Sequence, residues 1–292
     1  MSELTWKKEE KMTMTDEQLL ELARLSVDGE INRHSIDQFC QTYPDITEEE
    51  AYRGQELRVK LMEEQGHYAI GYKLGGTSLA KINQLKSTIY SSSSAVISTS
   101  SVIYGRLMEY MEKKQGENLV FDRYLHPKVE PELAFIMGRD LYGEHVTAAD
   151  VLHATKEIAP AFEIIDSRFH NFKIGKRYDG VIDNTSSAAF MLGEGRKSPR
   201  EIDLNSIGMK LQKNGEYIGF GAGESIMGHP ARAVAELVHG LSRAGRGLKA
   251  GELVLSGAMT ASTPIQAGDY LRADFGGLGY VDMHVIAKDP KL

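Results

Sequence analysis

The sequence predicts an α+β protein in which a mixed, rolled β-sheet core follows an N-terminal helical segment. Helical apolar spacing behind capping boxes marks the first stretch of chain. From residue 70 onward the texture changes to short apolar runs broken by glycine. Strands then outnumber helices without a regular strand–helix alternation, which argues against a doubly wound parallel sheet. These shifts divide the chain into a helical segment, 1–69, and a catalytic domain, 70–292.

Taken in order, Thr15-Asp-Glu-Gln18 forms a capping box, and Leu19, Leu20, Leu22, Ala23 and Leu25 follow at helical spacing until Gly29 ends the run. Thr47 to Glu50 is a second box, opening a charged helix that stops near Gly66. Residues 132–137, 161–165, 188–192, 208–212 and 253–256 read as buried strands. Asn214-Gly215 is a hairpin turn, because both residues tolerate positive φ. Helices are expected over 148–158, behind Thr147, and from Pro230 to Gly245, with Ala233, Val234, Leu237, Val238 and Leu241 on one face. Residues 87–101 contain eight Ser and two Thr, and read either as a surface insertion or as a lid over a site.

Composition excludes several functions. Lys plus Arg number 34 against 41 Asp plus Glu, a net charge of −7, so a general nucleic-acid or anionic-membrane surface is not expected. A single cysteine, Cys40, excludes an intrachain disulfide and any Cys-based zinc cluster. The first residues lack the apolar core of a secretory signal, and no run approaches a membrane span, so a cytoplasmic protein is expected. Some motifs fail on inspection. Residues 71–78 superficially resemble a phosphate loop, but Thr77 stands where the Lys is needed. Residues 219–224 lack the third glycine of a dinucleotide fingerprint, and Ser225 with His229 is too little for a catalytic triad.

The informative stretch is His126-Pro-Lys128-Val-Glu130-Pro-Glu132, followed by Glu163 within an apolar run. Glu130 and Glu132, two apart on an extended strand, project from one face, and Lys128 shares it. A carboxylate buried in an apolar strand is costly unless it is paired or binds a metal. Three converging carboxylates repel each other, and a hard divalent ion removes that conflict. The alternative is that Glu130 and Glu132 face solvent while Glu163 pairs with Arg168 or a Lys. Lys73, between Gly71 and Gly75, is an acid/base candidate if partial desolvation lowers its pKa.

The ordered set Gly71-Tyr-Lys73-Leu-Gly, Tyr104-Gly105-x-Leu107, His126 to Glu132, Glu163-x-x-Asp-Ser-Arg168, Asp183-Asn184-x-Ser186, Gly228-His229-Pro230 and Ser256-Gly257-x-x-Thr260 resembles the hydratase/decarboxylase branch of the fumarylacetoacetate hydrolase-like family. The resemblance spans roughly residues 70–285. It implies the fold of that family's C-terminal domain, with Glu130, Glu132 and Glu163 holding Mg²⁺ or Mn²⁺ and Lys73 as a catalytic or substrate-orienting cation; Lys128, on the face of the Glu pair, is a second catalytic candidate that could hold substrate charge or neutralise the triad. Arg168, Asn184, Ser186, Ser256 and Thr260 would bind substrate. Arg168 could equally be a structural ion-pair partner, and Ser256 and Thr260 could be turn residues. The implied substrate is an unsaturated 2-oxo acid of meta-cleavage aromatic catabolism. The implied reaction is decarboxylation of 2-oxohex-3-enedioate to 2-hydroxypenta-2,4-dienoate, favoured by His126-Pro-Lys128 before the Glu pair and by the run Asp166 to Lys173; hydration of that dienoate is the alternative. The resemblance also suggests a homo-oligomer, open to association with a pathway hydratase. A non-catalytic small-molecule binding protein is the alternative from another class.

Overall fold

The structure, a computed structural model, describes residues 14–78 and 102–288. The Ser/Thr-rich stretch 87–101 lies outside the described residues. Two helices come first, α1 (Asp16–Ile31) and α2 (Glu48–Glu63), each opened by the expected reciprocal capping box, at Thr15 with Gln18 and at Thr47 with Glu50. Gly29 does not end α1. It remains helical, and a Cβ there would lie 3.2 Å from Arg168 Cγ and 3.0 Å from the His34 carbonyl oxygen, so the glycine serves close packing.

The larger sheet contains β1 (Ala69–Gly75), β2 (Ile103–Met108), β3 (Glu112–Lys114), β5 (Lys128–Met137), β6 (Thr155–Ile165), β7 (Ser187–Leu192) and β10 (Leu253–Ala258). Its order is β2-β1-β10-β5-β6-β7-β3, with the short β11 (Thr263–Pro264) paired to β5. The second sheet runs β4 (Leu119–Val120), β13 (Tyr280–Ile286), β12 (Tyr270–Asp274), β8 (Gly208–Lys213), β9 (Glu216–Ala222). Pairings are mixed: β1 with β10 and β3 with β7 are parallel, whereas β5 is antiparallel to both neighbours. Asn214 and Gly215, with φ of 55° and 88°, make the expected hairpin turn between β8 and β9.

Two strands depart from the sequence reading. The helix expected over 148–158 ends at Ala154 as α3 (Ala148–Ala154), and Thr155 begins β6. Residues 155–165 pair with β5 along its length, and that ladder claims them from the helix. Strand β5 begins four residues earlier than predicted and runs through Pro131. The Pro131 carbonyl accepts from the Met259 amide, so its missing donor faces the β10 side, where the register shifts between Leu255 and Ala258. An irregular neighbour tolerates proline in a central strand.

Alternation along β5 sends Val129, Leu133 and Phe135 into the main core, where they meet Val234, Leu237 and Leu241 of α5 (Pro230–Arg243) and Leu271 and Val281 of the second sheet. Each fully buried side chain of this kind contributes roughly 1.5–3 kcal/mol. The opposite face carries Leu107, Ala134, Ala161, Phe190 and Leu255 beneath Val27 of α1 and Met62 of α2. The remaining helix, α4 (Arg177–Ile182), packs on α2. No helix among the described residues is long and apolar enough to cross a membrane.

Candidate metal and catalytic site

The functional side chains lie on the face beneath the N-terminal helices. Register pairs Lys73 with Leu255, Leu255 with Ala134, and Glu130 with Glu163. Side chains directly across a ladder share a face, so Lys73, Glu130, Glu132 and Glu163 converge from three strands. One oxygen from each glutamate lies within 4.8 Å of the others. Glu132 and Glu163 are fully buried and Lys73 is 3% exposed.

Three polar contacts fix these groups in place. Lys73 Nζ stands 3.1 Å from Glu163 Oε2 and donates to the Thr185 carbonyl at 3.1 Å. Glu132 Oε2 accepts from the Gly257 amide at 2.7 Å. Glu132 Oε1 and Glu163 Oε1 are buried with no hydrogen-bond partner among the described residues. Burial pushes the Glu132 carboxyl well above its ordinary range, and Glu163 and Glu130 push it further. Burial likewise raises Glu163, to about 7, even against the attraction of Lys73. Lys73 departs from the expectation of a lowered pKa. Burial acts against its ammonium, but Glu163, Glu130 and Glu132 outweigh that and raise the pKa, so the side chain is held charged.

Orphaned buried oxygens and mutually repelling carboxylates fit a hard divalent cation: the donors are all oxygen, and a bound ion would satisfy them. Glu130, Glu132 and Glu163 would be the residues to hold it.

The floor of the site is built by a turn. Asn184, Thr185 and Ser186 have φ of 53°, 53° and 58°, three consecutive left-handed residues that all carry a Cβ. Such backbone costs about 1–2 kcal/mol per residue and persists only where its surroundings enforce it. Here they do. The Asn184 side chain accepts from the Arg106 amide at 2.7 Å and donates to the Arg106 carbonyl at 2.9 Å, completing the edge of β2. Thr185 Oγ1 donates to the Tyr104 carbonyl at 2.9 Å. Gly105 admits the turn, since a Cβ there would stand 2.4 Å from the Asn184 carbonyl oxygen. Asp183, which enters the turn, accepts from Arg168 Nε at 2.6 Å and from Ser26 of α1 at 2.8 Å.

The expected substrate-binding residues therefore separate. Arg168, 1% exposed, gives its guanidinium to Asp183 and to the carbonyls of Asp166 and Ser187, so the expectation that it binds substrate gives way to a structural role. It also borders a 430 Å³ cavity with Glu30, Tyr110, Arg123 and Asp166, whose described walls include none of the three glutamates. Asn184 commits its side chain to β2. Ser186 Oγ and Ser256 Oγ are buried without a partner among the described residues, and Ser256 adjoins the Gly257 amide on Glu132. Thr260 bonds locally to the Ala261 carbonyl at 3.2 Å and lies against Gly219 of β9. Lys128 Nζ lies 3.9 Å over the Phe172 ring. Ser225 and His229 are not paired: Ser225 donates to the Ala222 carbonyl, and His229 Nδ1 caps α5 by accepting from Ala231. The Thr185 carbonyl and the Gly257 amide were hidden from the sequence because both act through backbone; only the small-residue pattern around each marked the position.

Comparison with known proteins agrees with this architecture. Residues 87–286 match the fumarylacetoacetate hydrolase C-terminal family, and the chain belongs to it. Over 275 residues it is 34% identical to a 4-oxalocrotonate decarboxylase of Pseudomonas sp. (strain CF600), covering 94% of this chain and 99% of that one. It is also 34% identical over 268 residues to a 2-keto-4-pentenoate hydratase of Paraburkholderia xenovorans (strain LB400), covering 92% and 95%. Among solved structures, the 4-oxalocrotonate decarboxylase from Pseudomonas putida G7, complexed with magnesium and adipate, superposes with a TM-score of 0.87 at 33% identity, covering 94% of this chain and 100% of that one. The expected family and sheet architecture hold, and the chain's relatives are lyases of both expected kinds.

Proposed function

We propose that the chain decarboxylates 2-oxohex-3-enedioate to 2-hydroxypenta-2,4-dienoate and carbon dioxide, with Glu130, Glu132 and Glu163 holding Mg²⁺ or Mn²⁺. The observation that carries the proposal is the convergence of three carboxylate oxygens within 4.8 Å beside a buried, charged lysine. Near-complete coverage of decarboxylase relatives supports the choice of reaction. When bound, the cation supplies Lewis acidity toward the 2-oxo acid end of the substrate.

The chain's own groups do the rest. Loss of CO₂ breaks the bond between C5 and the distal carboxylate, and the electron pair moves through the conjugated chain towards the 2-oxo oxygen. One proton must then be delivered. Lys73, held as an ammonium against Glu163 and the Thr185 carbonyl, is the donor within the site. The apolar side chains of Leu107, Phe190 and Leu255 keep this face dry, which strengthens each of these interactions.

Hydration of the dienoate is the second reading. It is favoured by the hydratase relatives, and water addition would call on the same glutamates and lysine. Purified protein with Mg²⁺, given each substrate in turn, separates the two. CO₂ release from the dicarboxylate is expected; formation of a 4-hydroxy-2-oxo acid with no CO₂ would refute decarboxylation. Cytoplasmic location, homo-oligomerisation and association with a pathway hydratase belong to the same proposal, and sizing chromatography of the protein alone and mixed with that hydratase checks the assembly.

A further inference from the structure

One side-chain cluster beside the glutamates has no part in the chemistry above. Lys128 lies on the same face of β5 as Glu130 and Glu132, and His126 stands two residues before it. Lys128 Nζ is 3.9 Å from the centroid of the Phe172 ring, and the His126 ring is 5.4 Å from that centroid, tilted at 56°. The His126 amide is fixed at 2.8 Å by Asp166 Oδ1, but its Nε2 is buried without a hydrogen-bond partner among the described residues. A shielded ring nitrogen left unmatched is a cost that a ligand would remove.

Phe172 is held for a reason other than core packing. Its ring is only half-buried, yet Asn171 and Phe172 both adopt left-handed backbone, with φ of 55° and 59°. A bulky residue keeps that conformation only where its position matters to its surroundings. Here the position sets an aromatic face against Lys128, restraining a side chain that would otherwise sample solvent.

We propose that His126, Lys128 and Phe172 form the seat of the distal carboxylate and select linear dicarboxylic 2-oxo acids over their monocarboxylic counterparts. The inference rests on the reading of the three glutamates as the end that holds the 2-oxo acid. Lengths agree with it. Two strand residues span about 6.6 Å, and the carboxyl carbons of an extended six-carbon diacid are about 6 Å apart. A substrate held at Glu130 and running along β5 would bring its far end to Lys128. There the ammonium meets the carboxylate charge, and His126, in the tautomer bearing a proton on Nε2, donates a second hydrogen bond. A chain ending in methyl would leave both groups unmatched.

The test is calorimetric titration of the Mg²⁺-loaded full chain with 2-oxohexanedioate and 2-oxohexanoate, which differ only at the distal end. The wild type should bind the diacid about tenfold or more tightly than the monoacid. His126→Phe and Lys128→Met should each bring that ratio towards one, while Lys128→Arg and His126→Gln restore part of it. Phe172→Leu should lower the ratio with His126 and Lys128 both still present. A wild type that does not discriminate, or variants that weaken both ligands equally, would overturn the proposal. Discrimination that survives EDTA keeps the distal seat but removes the metal reading; binding of neither ligand removes both.

Discussion

Replacing Glu132 with glutamine separates the cost of the buried carboxylates from their use. In the wild type, two fully buried glutamates each carry an oxygen that lacks a hydrogen-bond partner among the described residues. In Glu132→Gln the new side chain keeps the bond from the Gly257 amide through its carbonyl oxygen, cannot ionise, and offers an NH₂ group to the remaining carboxylates. In EDTA the variant should therefore melt at or above the wild type, by about 1 kcal/mol of relieved burial cost. Cation binding shows the opposite. A ligand at 100 times its dissociation constant stabilises by about 2.7 kcal/mol. With about 2.1 cal/mol/K of unfolding entropy per residue over 292 residues, that corresponds to a rise of about 4 °C in Tm. Losing one ligand should weaken binding about 100-fold, leaving about 0.4 kcal/mol, or less than ~1 °C, at the same concentration. Differential scanning calorimetry of both proteins in EDTA and in Mg²⁺ measures all four states. A Glu132→Gln protein that keeps the full shift, or a wild type with none at saturating Mg²⁺, refutes the assignment of these glutamates.

Two other expectations follow from the surroundings of the site. Gly105→Ala places a Cβ 2.4 Å from the Asn184 carbonyl oxygen; it should cost about 1–3 kcal/mol of stability and, by displacing Thr185 and hence Lys73, on the order of 100-fold in kcat/KM, read from urea unfolding and steady-state rates. Burial, with Arg232 adding to it, lowers the pKa of His229 from 6.5, and its neutral Nδ1 caps α5. The unfolded chain thus binds the extra proton first, so this contribution is intact above pH 6.5 and is lost as pH falls towards the folded value; urea midpoints at about pH 5.5 and 7.5 should differ more for the wild type than for His229→Asn, which caps without titrating.

Much of the scaffold was legible because it is specified locally. Thr15 with Gln18, Thr47 with Glu50, Asn214-Gly215 and Pro230 each fix an element boundary within a few residues, and each was found in place. Where distant partners decide the outcome, local reading failed. Residues 155–158 continue a helical pattern but are claimed by β5. The site divides in the same way. Glu163 stood out because a carboxylate in an apolar strand demands compensation, and the two-residue spacing put Glu130 and Glu132 on one face. Arg168 looked equally suited to a ligand or a structural pair; only the fold brings Asp183 to it, with Ser26 bonded to the same carboxylate. His126 and Phe172 stood in the motifs that carried the resemblance, but their contact was hidden, because it depends on a left-handed turn far downstream of the histidine.

Strand β10 lies between β1 and β5, so it is the piece that joins Lys73 to the glutamates. It also supplies the Gly257 amide that steadies Glu132. Yet it comes late in the chain, at residues 253–258. During synthesis, the lysine and the three acidic side chains are all made long before the strand that unites them. A product truncated before residue 253 would keep every named glutamate and have no centre to place them in.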